Sequence, residues 1–189
     1  MADPFFFGYG SLVNRATHDF AEAYTARLTG WRRVWRHTAL RPVAFLTAEP
    51  ADGVEIDGLI AAVPGNDWTA LDAREHAYDR NHVTEITRHG VPRAVAIQVY
   101  AIPDGKHGRP DETHPVLLSY LDTVVQGYLR EFGETGVTHF FETTAGWDAP
   151  ILDDRRDPVY PRHQRLQGDE RALVDDRLRD VGARVIQRI

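Results

Sequence analysis

The sequence predicts an α+β domain built on a curved β-sheet with antiparallel or mixed pairing. Segments with the pattern of strands outnumber those with helical periodicity, and short turns connect most of them. No repeat, low-complexity tract or linker divides the 189 residues. This length suits one domain with a sizeable core. We therefore expect residues 1–189 to form a single domain.

Five segments are predicted to be β-strands because apolar, β-branched and aromatic residues dominate them. The last is the clearest, since Val95, Ile97 and Val99 alternate with the residues between them. The five predicted strands are Phe5–Phe7, Arg27–His37, Val43–Thr47, Val54–Val63 and Ala94–Ile102.

Three segments are predicted to be helices. Trp68–Arg80 follows Asp67, which is a good N-cap because its carboxylate can accept hydrogen bonds from the first N–H groups of a helix. His114–Phe132 carries an apolar stripe and ends before Gly133. A weaker helical pattern covers Glu170–Val181.

Residues 146–164 fit neither the strand pattern nor the helix pattern. The segment contains three prolines and clustered charges. Long segments of this kind in compact domains are often functional loops. An ordered surface loop pinned by Trp147 and Tyr160 explains the same residues.

The side-chain inventory excludes several kinds of chemistry. The absence of cysteine excludes a thiol nucleophile, a thiolate zinc site and an iron–sulfur cluster. Lys106 is the only lysine, and the two serines, Ser11 and Ser119, do not lie in a Gly-x-Ser-x-Gly nucleophile motif. Covalent catalysis by a side chain is therefore not expected.

The net charge and the length of the apolar runs indicate the cellular location and the kinds of partner to expect. No apolar run approaches the roughly 20 residues of a transmembrane helix, and no signal-peptide pattern is present, so we expect a cytoplasmic protein without a membrane partner. The net charge of −6 argues against nucleic-acid binding. One basic cluster, Trp31–Arg36, fits either an amphipathic strand with a solvated arginine face or a surface that stacks on bases.

The segment Phe5–Leu12 places glycines directly after three aromatic residues. Gly8 and Gly10 have no Cβ to block a ligand, so a turn here can present backbone N–H groups to a small anionic or carbonyl group. A buried strand followed by a tight turn, without any ligand, explains the same residues.

A carboxylate is predicted on the buried face of the first helix. Burial without a partner would raise the pKa of Glu75 and make it a base near neutral pH. Alternatively, Glu75 pairs with Arg80 or with an arginine of the basic strand. No metal site is expected, because the nearby histidines lack a spacing that puts two ligands on one face. The residues that share the face, at spacings of three or four, are Trp68, Leu71, Glu75, Tyr78 and His82.

Three motifs occur in an order and at separations that resemble the γ-glutamylcyclotransferase-like superfamily, including its AIG2-like and ChaC-like branches. They are FGYGSL at residues 7–12, RLTGWRRV at 27–34 and LDAREHAYDR at 71–80, and the resemblance covers about residues 4–102. It implies a small mixed β-barrel with peripheral helices and a cavity at one end.

The resemblance also implies an activity, the cyclisation of a γ-glutamyl amine or peptide to 5-oxoproline with release of a free amine and without a cofactor. Glu75 would be the general acid/base and Tyr78 would line the pocket. Because the substrate's own α-amine attacks its γ-carbonyl, such an enzyme needs no nucleophilic side chain. The backbone amides implied to bind the substrate are those of Tyr9, Gly10, Ser11 and Leu12.

Two other functions stay open from the sequence. A non-catalytic module of the same fold would bind a small molecule without turning it over. An RNA-associated protein would use the Trp31–Arg36 cluster, and its affinity would fall steeply with added salt.

Overall fold

A computed structural model describes residues 3–84, 86–103 and 105–187, except for the side chains of residues 87 and 88. Within these residues, strands form two sheets, and two long helices pack beside them. The strands are β1 (Phe5–Gly8), β2 (Ala23–His37), β3 (Ala44–Ala62), β4 (Asp79–Val83), β5 (Ile86–His89), β6 (Ile97–Ala101), β7 (Val116–Leu117), β8 (Thr144–Ala145), β9 (Ile151–Asp153) and β10 (Val185–Gln187), and the helices are α1 (Thr69–Arg74), α2 (Leu118–Glu142) and α3 (Gly168–Asp180).

The main sheet is mixed, in the order β4-β6-β1-β3-β2-β5, with β8 paired to β2. At its centre, β1 pairs antiparallel with β3 and parallel with β6. This arrangement agrees with the predicted α+β class. Only residues 84 and 85 separate β4 from β5, so the chain links the two ends of the strand order directly. No strand pairing among the described residues joins those ends, so the predicted barrel is not confirmed.

The three aromatic residues of β1 lie in the core, as predicted. Phe5, Phe6 and Phe7 are at most 1% exposed. Phe5 and Phe7 face the main cluster between the sheet and α2, and Phe6 faces a smaller cluster with Trp68 and Leu71. The strand therefore has helices against both faces, which is why it reads as a continuous apolar run.

Two strands predicted separately are one. β3 runs from Ala44 to Ala62 and pairs with β2 over its length, with a register shift between Thr29 and Trp31. Gly30 and Gly53 have φ values of +79° and +75° at this irregularity. Their left-handed backbone bends the hairpin without ending it.

The first helix is much shorter than predicted. α1 ends at Arg74, and a turn leads into β4, which pairs with β6. His82, predicted on the buried helical face, therefore lies on a strand and is exposed. Residues 79–83 form hydrogen bonds with β6 at the edge of the sheet, and these outweigh the helical preference that the periodicity indicated.

The second helix starts later and continues further than predicted. Residues 116–117 form β7, which pairs with β9, and α2 begins at Leu118. Gly133, with φ +67°, interrupts the helix where its end was predicted, but helical structure resumes and ends at Glu142. α3 agrees with the third predicted helix to within two residues.

The basic cluster in β2 is not a uniform solvated face. Arg32 and Arg36 both pair with Glu49, at 2.5 and 3.2 Å. Arg33 is 0% exposed, and its Nη1 donates to the Tyr128 hydroxyl and to the Asp57 carbonyl, both at 3.0 Å. All three guanidinium groups are thus engaged within the protein.

No described helix combines the length and the apolar character that crossing a bilayer requires.

Close approach of α2 fixes the chain that follows β1. The Asn14 side chain donates to the Thr123 carbonyl at 2.9 Å and to Gln126 Oε1 at 3.1 Å. A Cβ at Gly127 would lie 2.7 Å from the Asn14 backbone nitrogen. Only glycine permits this approach, because backbone atoms cannot move aside as a flexible side chain can.

Replacing Gly127 with alanine is expected to destabilise the protein by about 1–3 kcal/mol, because overpacking outweighs the roughly 1 kcal/mol gained in helix propensity. Thermal or urea unfolding measures the change. Gly168→Ala at the start of α3 is the control, since its Cβ would meet no heavy atom within 4 Å. Equal stability of the two variants would contradict the role given to Gly127.

Candidate functional site

A 3₁₀ turn follows β1 and forms one wall of a cleft. It spans Ser11–Val13, and the Val13 amide donates to the Gly10 carbonyl at 3.0 Å. A Cβ at Gly10 would lie 2.5 Å from the Tyr120 hydroxyl oxygen. Gly10 thus lets this tyrosine of α2 reach the backbone of the turn.

Glu75 and Tyr78 lie in the turn that follows α1. The Glu75 amide donates to the Leu71 carbonyl at 2.9 Å, and the Tyr78 amide donates to the Glu75 carbonyl at 2.8 Å. The Tyr78 hydroxyl donates to the Leu46 carbonyl of β3, also at 2.9 Å. The end of α1, the turn after it and strand β3 thus position Glu75 and Tyr78.

The structure brings all six residues predicted for the site to one cleft. This cleft has a volume of about 40 Å³, and residues 9–12 lie on its lining with Glu75 and Tyr78. A larger cavity of about 450 Å³ adjoins it and is lined in part by Ser11, Glu75 and Tyr120. The small cleft can hold only a few atoms, so most of any ligand would occupy the larger cavity.

Two opposing effects act on the Glu75 carboxyl, whose side chain is 17% exposed. Burial raises its pKa above the usual 4.5, whereas the positive charges of Arg74, Arg162 and Arg41 act in the opposite direction. Burial is the larger effect. The carboxyl therefore has a greater proton affinity than an exposed glutamate, which favours proton transfer near neutral pH.

The arginine beside Glu75 is its ion-pair partner. Arg74 Nε lies 3.1 Å from Glu75 Oε1. Both alternatives from the sequence therefore hold in part, since Glu75 is largely buried and also paired. The predicted partner Arg80 is instead 4.3 Å from the Trp68 ring and 3.6 Å from Asp72.

Arg74 also connects Glu75 to the turn after β1. Its Nη1 donates to the Thr17 carbonyl at 2.9 Å, and its Nη2 donates to the Ser11 hydroxyl at 3.2 Å. Sequence reasoning missed this residue, although it directly precedes Glu75. Its role depends on the sharp end of α1, which the longer predicted helix did not include.

Tyrosines from distant segments complete the cleft. Tyr9 donates its hydroxyl proton to the Tyr100 carbonyl at 2.5 Å. Burial raises the pKa of Tyr120 well above its usual value, and a backbone hydrogen bond from Ser11 acts in the opposite direction. At neutral pH Tyr120 is a neutral hydroxyl beside the Ser11 amide, so it can donate or accept a hydrogen bond.

Part of the unassigned segment 146–164 lines the larger cavity. Val159, Tyr160, Pro161 and Arg162 form this part of its wall. The Tyr160 ring meets the Tyr120 ring edge to face at 5.0 Å. No motif in the sequence indicated this contribution, because residues 159–162 reach the cavity only through the folding of the loop.

One group of described side chains could hold a metal ion. His37, Asp111 and His114 place ligand atoms within 4.8 Å of one another, but none of them lines either cleft. Asp111 Oδ1 already accepts hydrogen bonds from Thr113 and His114. This group is separate from Glu75, and nothing in it connects a metal to the chemistry of the cleft.

Comparison with known proteins places these features in context. Residues 6–131 match the model of a family described as "Gamma-glutamyl cyclotransferase, AIG2-like". Glu75 and the turn after β1 fall inside this range, and residues 159–162 fall outside it. Comparison with curated protein sequences finds no significant match.

Three solved structures have a similar fold. One is a gamma-glutamyl cyclotransferase, with a TM-score of 0.56, 11% identity, and coverage of 92% of this chain and 99% of that chain. An uncharacterized protein from Homo sapiens has the same TM-score and identity, with coverage of 93% and 99%. YkqA from Bacillus subtilis has a TM-score of 0.55 and 18% identity, with coverage of 76% and 56%. At these identities the likeness concerns the fold alone.

Replacing Glu75 with glutamine is expected to raise the melting temperature at neutral pH. A raised pKa means that the folded state holds the proton more tightly than the unfolded state, so ionisation lowers the free energy of unfolding as pH rises above the usual 4.5. At about pH 4 and below, where both states are protonated, the difference should disappear. Arg74 keeps its hydrogen bonds to Thr17 and Ser11 in the variant.

Melting curves of both proteins at acidic and neutral pH test this expectation. Glu134→Gln is the matched control, because Glu134 is exposed and lines neither cleft. A lower melting temperature of Glu75→Gln at neutral pH would contradict a net cost of burying this carboxylate.

Proposed function

The chain belongs to the gamma-glutamyl cyclotransferase, AIG2-like family, and on this premise we propose that it converts a γ-glutamyl amine or peptide to 5-oxoproline and a free amine. The observation that supports the proposal most is the placement of Glu75 in the same small cleft as the backbone of residues 9–12. On this proposal Glu75 is the base of the cleft, and the backbone of residues 9–12 supplies N–H groups to the substrate.

In the proposed reaction, Glu75 first takes a proton from the α-ammonium group of the substrate. The freed amine attacks the γ-carbonyl carbon, and a carbon–nitrogen bond closes the five-membered ring. After the attack the ring nitrogen still carries two hydrogens. As the bond to the leaving nitrogen breaks, Glu75 gives its proton to that nitrogen. The ring nitrogen then loses its second proton through Glu75 to the released amine, which departs as an ammonium ion. Atoms and charges balance without water, a cofactor or a side-chain nucleophile.

Proximity supplies a large part of the rate enhancement in such a reaction. Both reacting groups belong to one molecule, so the protein has only to fold the substrate until the amine meets the carbonyl. The small cleft would take the reacting γ-carbonyl, and the rest of the bent γ-glutamyl group would lie in the adjoining larger cavity. Backbone N–H groups of Tyr9–Leu12 would stabilise the negative charge that develops on the carbonyl oxygen.

The ion pair with Arg74 suits the proposed role of Glu75. Arg74 holds the carboxylate beside the turn through its contacts with Ser11 and Thr17. Because burial outweighs the charge of Arg74, the carboxyl stays basic enough to accept a proton. The pair therefore orients the carboxylate without removing its proton affinity.

We expect the purified protein to release 5-oxoproline from at least one member of a panel of γ-glutamyl amines and dipeptides, with no loss on addition of EDTA. Glu75→Gln should lower kcat about 10²- to 10⁴-fold, which is the usual contribution of a general acid/base. Glu134→Gln should leave kcat unchanged.

The same panel separates the proposal from the binding-module alternative. If no compound yields 5-oxoproline above the level of Glu75→Gln, but one raises the melting temperature without being consumed, the protein binds γ-glutamyl compounds and does not cyclise them.

The acidic limb of the pH profile of kcat/KM, which reports groups of the free enzyme, is expected to have its midpoint above 4.5. The base must be deprotonated to act, and burial raises the pKa of Glu75. Arg74→Gln should move the limb to still higher pH, since the positive charge of Arg74 lowers this pKa. Arg74→Lys keeps the charge and should move it less. A kcat/KM that stays constant down to about pH 4.5 would rule out Glu75 as the titrating base.

A further inference from the structure

The larger cavity carries more positive than negative charge, and we propose that Arg41 and Arg162 bind a carboxylate on the leaving group of the substrate. The preferred substrates would then be γ-glutamyl amino acids or peptides, in preference to γ-glutamyl derivatives of simple amines. This inference rests on the proposed function, because it concerns the amine that departs from the γ-carbonyl.

The charge balance of the cavity is the first support. Arg41, Arg74 and Arg162 line it, and among the described residues of its lining Glu75 is the only carboxylate. Arg74 is already paired with Glu75 at 3.1 Å. Two guanidinium groups therefore remain for a ligand, in a protein whose net charge is −6.

The surroundings of these two arginines leave them available. Arg41 Nη2 lies 3.3 Å from His76 Nδ1, and its guanidinium is 5.8 Å from the centre of the Phe45 ring. Both Arg41 and Arg162 are exposed at the cavity. Within the described residues, neither guanidinium lies within 4.0 Å of a carboxylate oxygen.

Their position relative to Glu75 assigns them to the leaving group. The γ-carbonyl must lie at Glu75 and the turn, in the cleft of about 40 Å³, and the departing amine then extends into the cavity of about 450 Å³. Arg41 and Arg162 line only the larger cavity, yet both are close enough for their charges to act on Glu75. A carboxylate a few bonds beyond the leaving nitrogen would lie within their reach.

The wall that carries Arg162 is held in place by a buried carboxylate. Asp154 is 3% exposed and accepts hydrogen bonds from the Ser119 amide and hydroxyl, at 2.8 and 2.6 Å. It also accepts one from the Val159 amide at 2.8 Å. The Tyr160 amide in turn donates to the Ser119 hydroxyl at 3.3 Å. A wall fixed in this way loses little entropy when a ligand binds, which favours selectivity.

A pair of substrates that differ only in the carboxylate tests the proposal. γ-Glutamylalanine and γ-glutamylethylamine share the γ-glutamyl group and the first two carbons of the amine. We expect the wild-type protein to favour γ-glutamylalanine about tenfold or more in kcat/KM, which corresponds to the lower end of a hydrogen bond to a charged group. The preference should shrink as ionic strength rises, because salt screens exposed charges.

Arg41→Gln and Arg162→Gln should each reduce this preference several-fold, through a higher KM for γ-glutamylalanine and no change for γ-glutamylethylamine. Arg156→Gln is the matched control, because Arg156 is an exposed arginine of the same segment that does not line the cavity. It should keep the full preference.

Three results would overturn the assignment. Equal activity of the wild-type protein on both substrates would show that no leaving-group carboxylate is recognised. Equal loss on both substrates in the two variants would assign the arginines to the α-carboxylate of the γ-glutamyl group. If neither substrate is turned over, calorimetric titration with the same two compounds decides the binding preference. The proposed function fails separately, and only if no compound of the γ-glutamyl panel yields 5-oxoproline. Equal affinity, or no binding, would then also overturn the assignment.

Discussion

A fully buried guanidinium links the main sheet to α2 and, through Tyr128, to the backbone just after β1. Arg33 donates to the Thr143 hydroxyl at 2.6 Å and to the Tyr128 hydroxyl at 3.0 Å, and it lies 4.8 Å from the centre of the Phe140 ring. Burial lowers the pKa of Arg33, yet arginine remains charged at any physiological pH. A buried cation must keep its acceptors, since each one lost would cost more than an exposed hydrogen bond is worth. The segments that supply them are therefore held in one arrangement.

The contacts around Arg33 also hold the candidate site in place. The Tyr128 hydroxyl lies 2.9 Å from the Tyr9 carbonyl and 2.7 Å from the Asp57 carbonyl, so it ties the turn to β3. One residue earlier, Gly127 lets the helix meet the backbone at Asn14. Opposite the turn, Arg74 holds Glu75 in place. Each wall of the cleft is thus fixed by contacts outside it, and a preorganised site of this kind loses little free energy to rearrangement when a ligand binds.

The sequence predicted the parts of the fold that local patterns determine. The aromatic strand β1, the long β2, the break at Gly133 and helix α3 follow from periodicity and from turn residues. The end of α1 does not follow from such patterns. It depends on the hydrogen bonds between β4 and β6, which join residues far apart in the sequence and leave no trace in its local periodicity. The candidate site could likewise be predicted only in part.

Glu75 and the glycine turn have local signals in the sequence, whereas Arg41, Tyr120 and Arg162 come together only when three distant segments fold against one another. The burial of Arg33 was missed for a related reason, since its side-chain acceptors Tyr128 and Thr144 lie about a hundred residues further along the chain.

The anchoring of residues 159–162 through Asp154 and Ser119 has an evolutionary consequence. The acid/base residue and the glycine turn lie within the stretch that matches the family, and this part of the cavity wall lies beyond it. On the proposed assignment, Arg162 selects the substrate from outside the matched stretch, whereas Arg41 lies inside it with the reacting groups. Substitutions in the wall can then change which molecule is accepted while the reacting groups stay untouched.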